Sequence, residues 1–327
     1  MAFPFYAALR ETFPEAELTL IGRAWVTDLA PNGFTTVIPF AGKNLAKADF
    51  QRLQDGKFDV GFTLSPSFRS AYLLYRLGVT IRHGFATDLR SALLTLPKNK
   101  FRHQPYNRSE HRALAYLRLL AEYLASENLP EDLFEKYRNV KLTSLPIAPV
   151  EDKLNLKRKG LQVVICPGST AASKKYPVGH LIQAMEFIAQ KKPAVQFLLL
   201  GAKIDESECA AIEAHFATGK IKVTNLCAKT TLREAHTLIA WAKVAIANDS
   251  GLAHITSLTG TALITFNGMG RRCETSPLTR YKNLFDLQLG CSPCFQRECP
   301  RKDQPLACLT GIAPAAVAEA ALHRLGA

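Results

Sequence analysis

The second half of the sequence alternates strictly between strand-like and helix-like segments, and this limits the possible folds more than any other feature. Short apolar runs occupy residues 161–166, 194–201, 221–226, 243–247 and 262–266. Amphipathic segments separate them at residues 178–190, 205–216, 231–242 and 252–258. Strands that alternate with helices at this pitch form a parallel sheet covered by helices on both faces. The alternation therefore predicts an α/β unit.

The first half shows the same alternation in a weaker form. Strands are predicted at residues 18–22, 35–40 and 58–64, and helices at residues 45–54 and 109–125. A chain of 327 residues is long enough for about two domains. Residues 142–160 contain Pro146 and Pro149 and lack apolar periodicity, which predicts a stiff linker. We expect two Rossmann-like domains, residues 1–150 and 151–327, with a ligand cleft between them.

Charge and missing motifs narrow the function. The net charge of +13 favours an anionic partner: a nucleotide, a nucleic acid or a phosphorylated membrane surface. The sequence has neither the dinucleotide fingerprint G-x-G-x-x-G nor a Walker A loop, which disfavours hydride transfer and P-loop chemistry. It also has no helix-turn-helix, RRM or KH signature, so nucleic-acid binding rests on charge alone. Residues 1–4 lack the basic start of a signal peptide, so we expect a cytoplasmic protein.

A polar loop with two lysines follows the first strand of the second half. Gly168 would let the backbone approach a ligand, and Ser169 and Thr170 offer hydroxyl groups. Lys174 and Lys175 bring positive charge just before a helix. This combination is typical of an anion site. The alternative interpretation is an ordinary capped loop with solvated lysines.

A second polar loop follows the strand at residues 243–247. The amides of Ser250 and Gly251 open a helix and could face a phosphate, with Asp249 and His254 near the same helix start. A plain N-cap is the alternative. Two such loops at the ends of parallel strands together favour a diphosphate. Asp205, after a third strand, could accept a hydrogen bond from a ribose hydroxyl.

Three stretches in this order resemble the ADP-heptose:lipopolysaccharide heptosyltransferases of glycosyltransferase family 9. They are the Pro-Gly and Lys-Lys-Tyr-Pro of residues 167–177, the Asn-Asp-Ser-Gly-Leu-Ala-His of residues 248–254, and the cysteine-rich residues 291–309. The likeness covers essentially the whole chain, and the Cys-x-Pro-Cys cluster leans toward the heptosyltransferase II type. It implies a GT-B fold, with an ADP-sugar donor bound by the C-terminal lobe and a lipid A–Kdo core acceptor bound by the N-terminal lobe.

The resemblance also implies the site and the mechanism. The implied donor-binding residues are Ser169, Thr170, Lys174, Asp205, Asp249, Ser250, Gly251, Leu252 and His254. The implied reaction is an inverting transfer that needs no metal cofactor, because lysine and amide groups neutralise the leaving diphosphate. The implied setting is the cytoplasmic face of a Gram-negative inner membrane, with peripheral contact to anionic lipid and no nucleic-acid partner.

The start of the sequence departs from the family pattern. The family begins with a strand and a Gly-rich loop that carries the proposed catalytic Asp, whereas residues 1–14 here read as the helix that follows them. We therefore expect the first strand and the base-bearing loop to be missing, and the catalytic residue stays unassigned. Two hypotheses result: a heptosyltransferase with a truncated or misplaced start, and an inactive nucleotide-sugar-binding protein.

Two further groups of residues carry open alternatives. Cys291, Cys294, Cys299 and Cys308 could hold a structural zinc ion, although free thiols and a disulfide are alternatives. A basic stretch at residues 98–103, with nearby arginines, could recognise acceptor phosphates or Kdo carboxylates and attract anionic lipid, or could be a solvated loop. Those arginines are Arg82, Arg90 and Arg108.

Overall fold

The computed structural model describes residues 1–31, 33–40, 44–87, 89–95, 108–124, 129–157 and 160–326. The chain divides into two compact units, Met1–Val140 and Lys141–Ala327, whereas the sequence placed the boundary after residue 150. The predicted linker is wrong in part, because a helix covers Ile147–Leu154 and Val150 is buried. Proline is tolerated in the first turn of a helix, so Pro146 and Pro149 precede and begin this helix rather than break it.

The first unit combines six helices with four short strands in the part of the chain that is described. The helices are α1 (Phe3–Thr12), α2 (Val26–Leu29), α3 (Lys47–Asp55), α4 (Phe68–Arg76), α5 (Arg112–Leu124) and α6 (Leu129–Tyr137). The strands are β1 (Thr19–Arg23), β2 (Thr36–Phe40), β3 (Val60–Thr63) and β4 (Ile81–Gly84). They form two separate parallel pairs, β1 with β2 and β3 with β4. The predicted early helix is confirmed as α1.

The second unit contains a six-stranded parallel sheet. Its strands are β5 (Gln162–Cys166), β6 (Gln196–Leu199), β7 (Lys222–Asn225), β8 (Val244–Ala247), β9 (Ala262–Phe266) and β10 (Lys282–Phe285), in the spatial order β10-β9-β8-β5-β6-β7. Its helices are α7 (Ile147–Leu154), α8 (Val178–Lys191), α9 (Glu206–Phe216), α10 (Leu232–Trp241), α11 (Gly251–Thr256), α12 (Arg272–Thr275), α13 (Ala307–Thr310) and α14 (Pro314–Arg324). The predicted α/β architecture is confirmed, and β10 is an addition that the sequence analysis missed.

The core of the second unit explains why these segments fold as they do. Every residue of β5 and β8 is buried, as expected for central strands with helices on both faces. Leu181, Met185 and Ile188 of α8 pack on one face together with Val317 of α14. Helix α10 starts at a capping box in which the Thr231 hydroxyl accepts from the Glu234 amide. None of the helices in the described ranges combines the length and apolarity of a membrane span.

Candidate functional site

The direction of strand addition reverses between two neighbouring strands of the second unit. From β5 the chain adds β6 and β7 on one side, then returns to add β8, β9 and β10 on the other. The last residues of the two strands pair with each other, Cys166 with Ala247, so the loops that follow begin side by side. Open α/β sheets bind ligands at such a reversal, outside the carboxyl ends of the strands. We name residues 167–177 the lysine loop and residues 248–250 the aspartate loop.

One asparagine side chain joins the two loops. Asn248 is 1% exposed, and its Oδ1 accepts the amide of Tyr176 at 2.9 Å. Its Nδ2 donates to the carbonyl of Pro167 at 2.5 Å. Both ends of the lysine loop are therefore held by a single buried amide, which fixes the loop relative to β8. Asn248 opens the Asn-Asp-Ser-Gly-Leu-Ala-His stretch, but nothing in that stretch predicted this role.

The joined loops bring three of the predicted donor-binding residues together. Lys174 Nζ lies 2.7 Å from Asp249 Oδ2, and both side chains are partly exposed. The hydroxyl of Ser169 donates to the carbonyl of Asp249 at 3.1 Å. Thr170 is the next residue of the same loop and is exposed. A cation, hydroxyl groups and solvent access therefore coincide at the strand ends.

The start of α11 adds four more of the predicted residues. Ser250 Oγ is buried and lacks a hydrogen-bond partner within the described residues. Such a hydroxyl costs about 1–3 kcal/mol unless a partner is supplied, and a ligand oxygen could supply it. Gly251 is exposed, and a Cβ there would meet no atom within 4 Å. Leu252 and His254 follow on the same helix, both half-buried.

Asp205 lies beneath the lysine loop. Its side chain is 7% exposed, and its Oδ2 accepts the amide of Ala202 at 2.9 Å. A Cβ on Gly168 would lie 2.0 Å from Asp205 Cγ, so the glycine backbone packs directly on the carboxylate. This geometry gives Asp205 a supporting role for the loop. The predicted hydrogen bond to a ribose hydroxyl stays a prediction.

Two segments that the sequence analysis did not assign to the site also reach it. The loop after β9 packs against the aspartate loop, since a Cβ on Gly270 would lie 3.5 Å from Asp249 Oδ2. The cysteine-rich segment supports the lysine loop: Arg297 Nη2 donates to the carbonyl of Thr170 at 2.6 Å, and Ser173 Oγ donates to the carbonyl of Gln296 at 2.5 Å. A glycine pair after a predicted strand, Gly268 and Gly270, was the available signal for the first segment.

The eight cysteines are all free thiols. Burial raises the pKa of the Cys308 thiol, and the nearby thiols of Cys291, Cys299 and Cys294 raise it further. The amide of Leu306 donates to Cys299 Sγ at 3.2 Å. No three His, Cys, Asp or Glu side chains are arranged as metal ligands among the residues described. The zinc interpretation stays a prediction.

Two of the predicted acceptor-binding arginines donate hydrogen bonds to backbone carbonyls. Arg90 is 0% exposed, and its guanidinium donates to the carbonyls of Phe85, Ser65 and Ser67. Arg82 donates to the carbonyl of Leu93 at 2.6 Å. The predicted contact between Arg90 and an acceptor is wrong, because a fully buried guanidinium is not available to a ligand. The predicted contact of Arg82, which is half-buried, stays a prediction. Arg108 is exposed, and residues 98–103 lie outside the described residues.

Comparison with known proteins identifies the family of this chain. The sequence model of glycosyltransferase family 9 (heptosyltransferase) matches residues 47–304. Lipooligosaccharide heptosyltransferase 2 of Campylobacter jejuni serotype O:2 is 26% identical, covering 99% of this chain and 94% of the relative. Lipopolysaccharide heptosyltransferase 2 of Escherichia coli K12 is 23% identical, covering 89% and 85%.

Solved structures show the same fold. E. coli ADP-heptose lps heptosyltransferase II superposes with a TM-score of 0.78 at 21% identity, covering 99% of this chain and 94% of that chain. E. coli heptosyltransferase WaaC with ADP gives a TM-score of 0.69 at 17% identity, covering 99% and 95%. These likenesses confirm the predicted GT-B fold class. Since the family model spans most of the sequence, the chain belongs to glycosyltransferase family 9, the heptosyltransferases, and is a glycosyltransferase.

Proposed function

We propose that this enzyme transfers L-glycero-D-manno-heptose from ADP-heptose to the lipopolysaccharide inner core, with inversion at the anomeric carbon and without a metal cofactor. The observation that carries the proposal is the joining of the lysine loop to the aspartate loop at the strand reversal, in a chain of the heptosyltransferase family. Lys174 and Ser250 offer a positive charge and an unused hydroxyl donor to a diphosphate, while Ser169 holds the aspartate loop through its bond to the Asp249 carbonyl.

The proposed reaction is a single displacement. A hydroxyl oxygen of the acceptor bonds to the anomeric carbon, and the bond from that carbon to the β-phosphate oxygen breaks, with its electron pair passing to ADP. A base takes the hydroxyl proton, and this chain has no assigned residue for that role. In this proposal Lys174 contacts the leaving diphosphate, on which negative charge grows, so its stabilisation is largest in the transition state.

The direct experiment follows ADP release from ADP-heptose in the presence of a lipid A–Kdo acceptor, tested with and without a first heptose on it, and with and without EDTA. We expect turnover at a rate that EDTA does not change, and a product whose anomeric configuration is opposite to that of the donor by NMR. A rate that falls with EDTA and returns with Mg²⁺ would contradict metal independence. ADP binding without any turnover would favour the second hypothesis, an inactive nucleotide-sugar-binding protein.

The proposed acceptor also implies where the enzyme works. A lipid-linked acceptor lies in a bilayer, so the enzyme has to work at a membrane surface. The net charge of +13 suits the anionic cytoplasmic face of an inner membrane. We therefore include peripheral contact with that membrane in the proposed function, with ADP-heptose as a substrate rather than a cofactor.

A further inference from the structure

The first unit exposes three aromatic side chains along helix α4. Phe68, Tyr72 and Tyr75 are 45%, 42% and 53% exposed, and intervals of four and three residues place them on one side of the helix. Ala71, on the side toward the strands, is fully buried. Single exposed apolar residues are ordinary, whereas a contiguous row marks an interaction surface. We name these three residues the aromatic face.

The rings of the aromatic face lie nearly parallel to one another. The centroids of Phe68 and Tyr72 are 6.1 Å apart with an interplanar angle of 18°, and those of Tyr72 and Tyr75 are 6.4 Å apart with an angle of 25°. The three rings therefore form one continuous row along the helix.

Arginines surround the aromatic face. The guanidinium carbon of Arg76 lies 5.9 Å from the centroid of Tyr72, and that of Arg82 lies 5.8 Å from the centroid of Tyr75. Arg69 is exposed on the same helix, and α4 contains no Asp or Glu. The neighbouring helix α3 carries two basic and two acidic residues, so it adds no net charge. The surface is therefore both aromatic and cationic.

An aliphatic side chain extends this surface at the start of α4. Leu89 is 97% exposed and has a φ of +54°. The next residue, Arg90, donates to the carbonyls of Ser65 and Ser67, which immediately precede α4. Leu89 thus directly precedes a residue that is anchored just before the first turn of the helix, where Phe68 lies.

We propose that the aromatic face, with Leu89 and the flanking arginines, docks on an anionic phospholipid bilayer at the depth of the headgroups. Tyrosine rings are favoured at membrane interfaces, and the guanidinium groups of Arg69 and Arg76 can pair with lipid phosphates, whereas that of Arg82 donates mainly to backbone carbonyls. A second copy of the chain would bring surfaces of the same charge together, which disfavours self-association here. The inference rests on the proposed membrane contact and identifies its surface, while the donor site uses none of these residues.

The test measures co-sedimentation of the full chain with vesicles of phosphatidylcholine, alone or mixed with phosphatidylglycerol. We expect binding to the mixed vesicles that weakens with salt, and a loss of about tenfold in partitioning for the double variant Tyr72→Ser/Tyr75→Ser. The matched control, Phe187→Ser/Tyr281→Ser, removes two aromatic residues that are 41% and 52% exposed in the second unit. Its partitioning should stay within about twofold of the parent.

A second measurement keeps the proposal testable if the double serine variant folds poorly. Tyr72→Trp, placed in a Trp25→Phe/Trp241→Phe background, should shift its emission to the blue when mixed vesicles are added. Three results would overturn the proposal. The first is a parent that fails to bind mixed vesicles, and the second is a double serine variant that binds them like the parent. The third is a double serine variant that has a different oligomeric mass in solution but unchanged vesicle binding, which would indicate contact with a second copy of the chain. ADP affinity measured on each variant separates these outcomes from failure of the donor site.

Discussion

At the scale of single residues, Lys174 and Asp249 form an ion pair that a diphosphate must share or replace. Removing the lysine takes away a charged donor and also leaves the Asp249 carboxylate facing the phosphates. We expect Lys174→Ala to weaken ADP binding at least about tenfold, which corresponds to about 1.4 kcal/mol. Isothermal titration calorimetry measures this. Lys220→Ala, at an exposed lysine of the same unit, should bind ADP like the parent; an unchanged dissociation constant for Lys174→Ala would refute the loop assignment.

Position 168 needs a glycine because the Asp205 side chain leaves no space for a Cβ, not because of the backbone angles there. An alanine Cβ there would lie 2.0 Å from Asp205 Cγ, so either the loop or the carboxylate must move. We expect Gly168→Ala to lower the free energy of unfolding by about 1–3 kcal/mol and to weaken ADP binding. The double variant Gly168→Ala/Asp205→Ala should recover part of that loss, since the clashing atoms are gone. Urea unfolding of both single variants and the double variant checks this, and strictly additive losses would rule out the contact.

At the scale of elements, helix α5 carries a carboxyl group whose ionisation opposes folding. Burial raises the pKa of Glu122 to about 7, although Arg118 acts in the opposite direction. The ordinary value is 4.5, so the folded protein binds more protons between about pH 4.5 and 7. Stability should therefore fall as pH rises through that window.

The substitution Glu122→Gln tests this directly. It should raise the melting temperature by about 2–4 °C at about pH 8, where the parent carboxyl is ionised, and change it little at about pH 5. Differential scanning calorimetry at the two pH values makes the comparison, with Glu319→Gln on the exposed side of α14 as the control. An equal effect at both pH values would show that the carboxyl does not titrate as described.

Elements could be predicted from the sequence where burial sets the pattern. The central strands β5 and β8 are continuous apolar runs because both faces are covered, and both were predicted to within one residue. Strand β10 was missed because its Lys-Asn-Leu-Phe is half-buried at the sheet edge and has no apolar run. Helix α7 was read as a linker because its prolines lie at the helix start, where proline and helix are compatible.

At the scale of the whole molecule, the meeting of the lysine and aspartate loops could be predicted from the sequence. The side chains that hold these loops in place could not. Parallel strands place their following loops at one edge, which is enough to bring Lys174 toward Asp249. Arg297 donates to the backbone carbonyl of Thr170. Every residue has such a carbonyl, so the sequence does not indicate which one an arginine will bind. Arg90 looked like a ligand-binding residue for the same reason, since its partners are also carbonyls.

The central claim is that the joined loops of the second unit bind the ADP part of a sugar donor. The most direct measurement is a thermal-shift series with ADP, UDP and GDP on the parent chain and on Lys174→Ala. A ligand at 100 times its dissociation constant adds about 2.7 kcal/mol, which raises the melting temperature by several degrees. We expect ADP to stabilise the parent chain more than UDP or GDP does, and to stabilise Lys174→Ala less than the parent. No shift with ADP, or an equal shift with all three nucleotides, would contradict it.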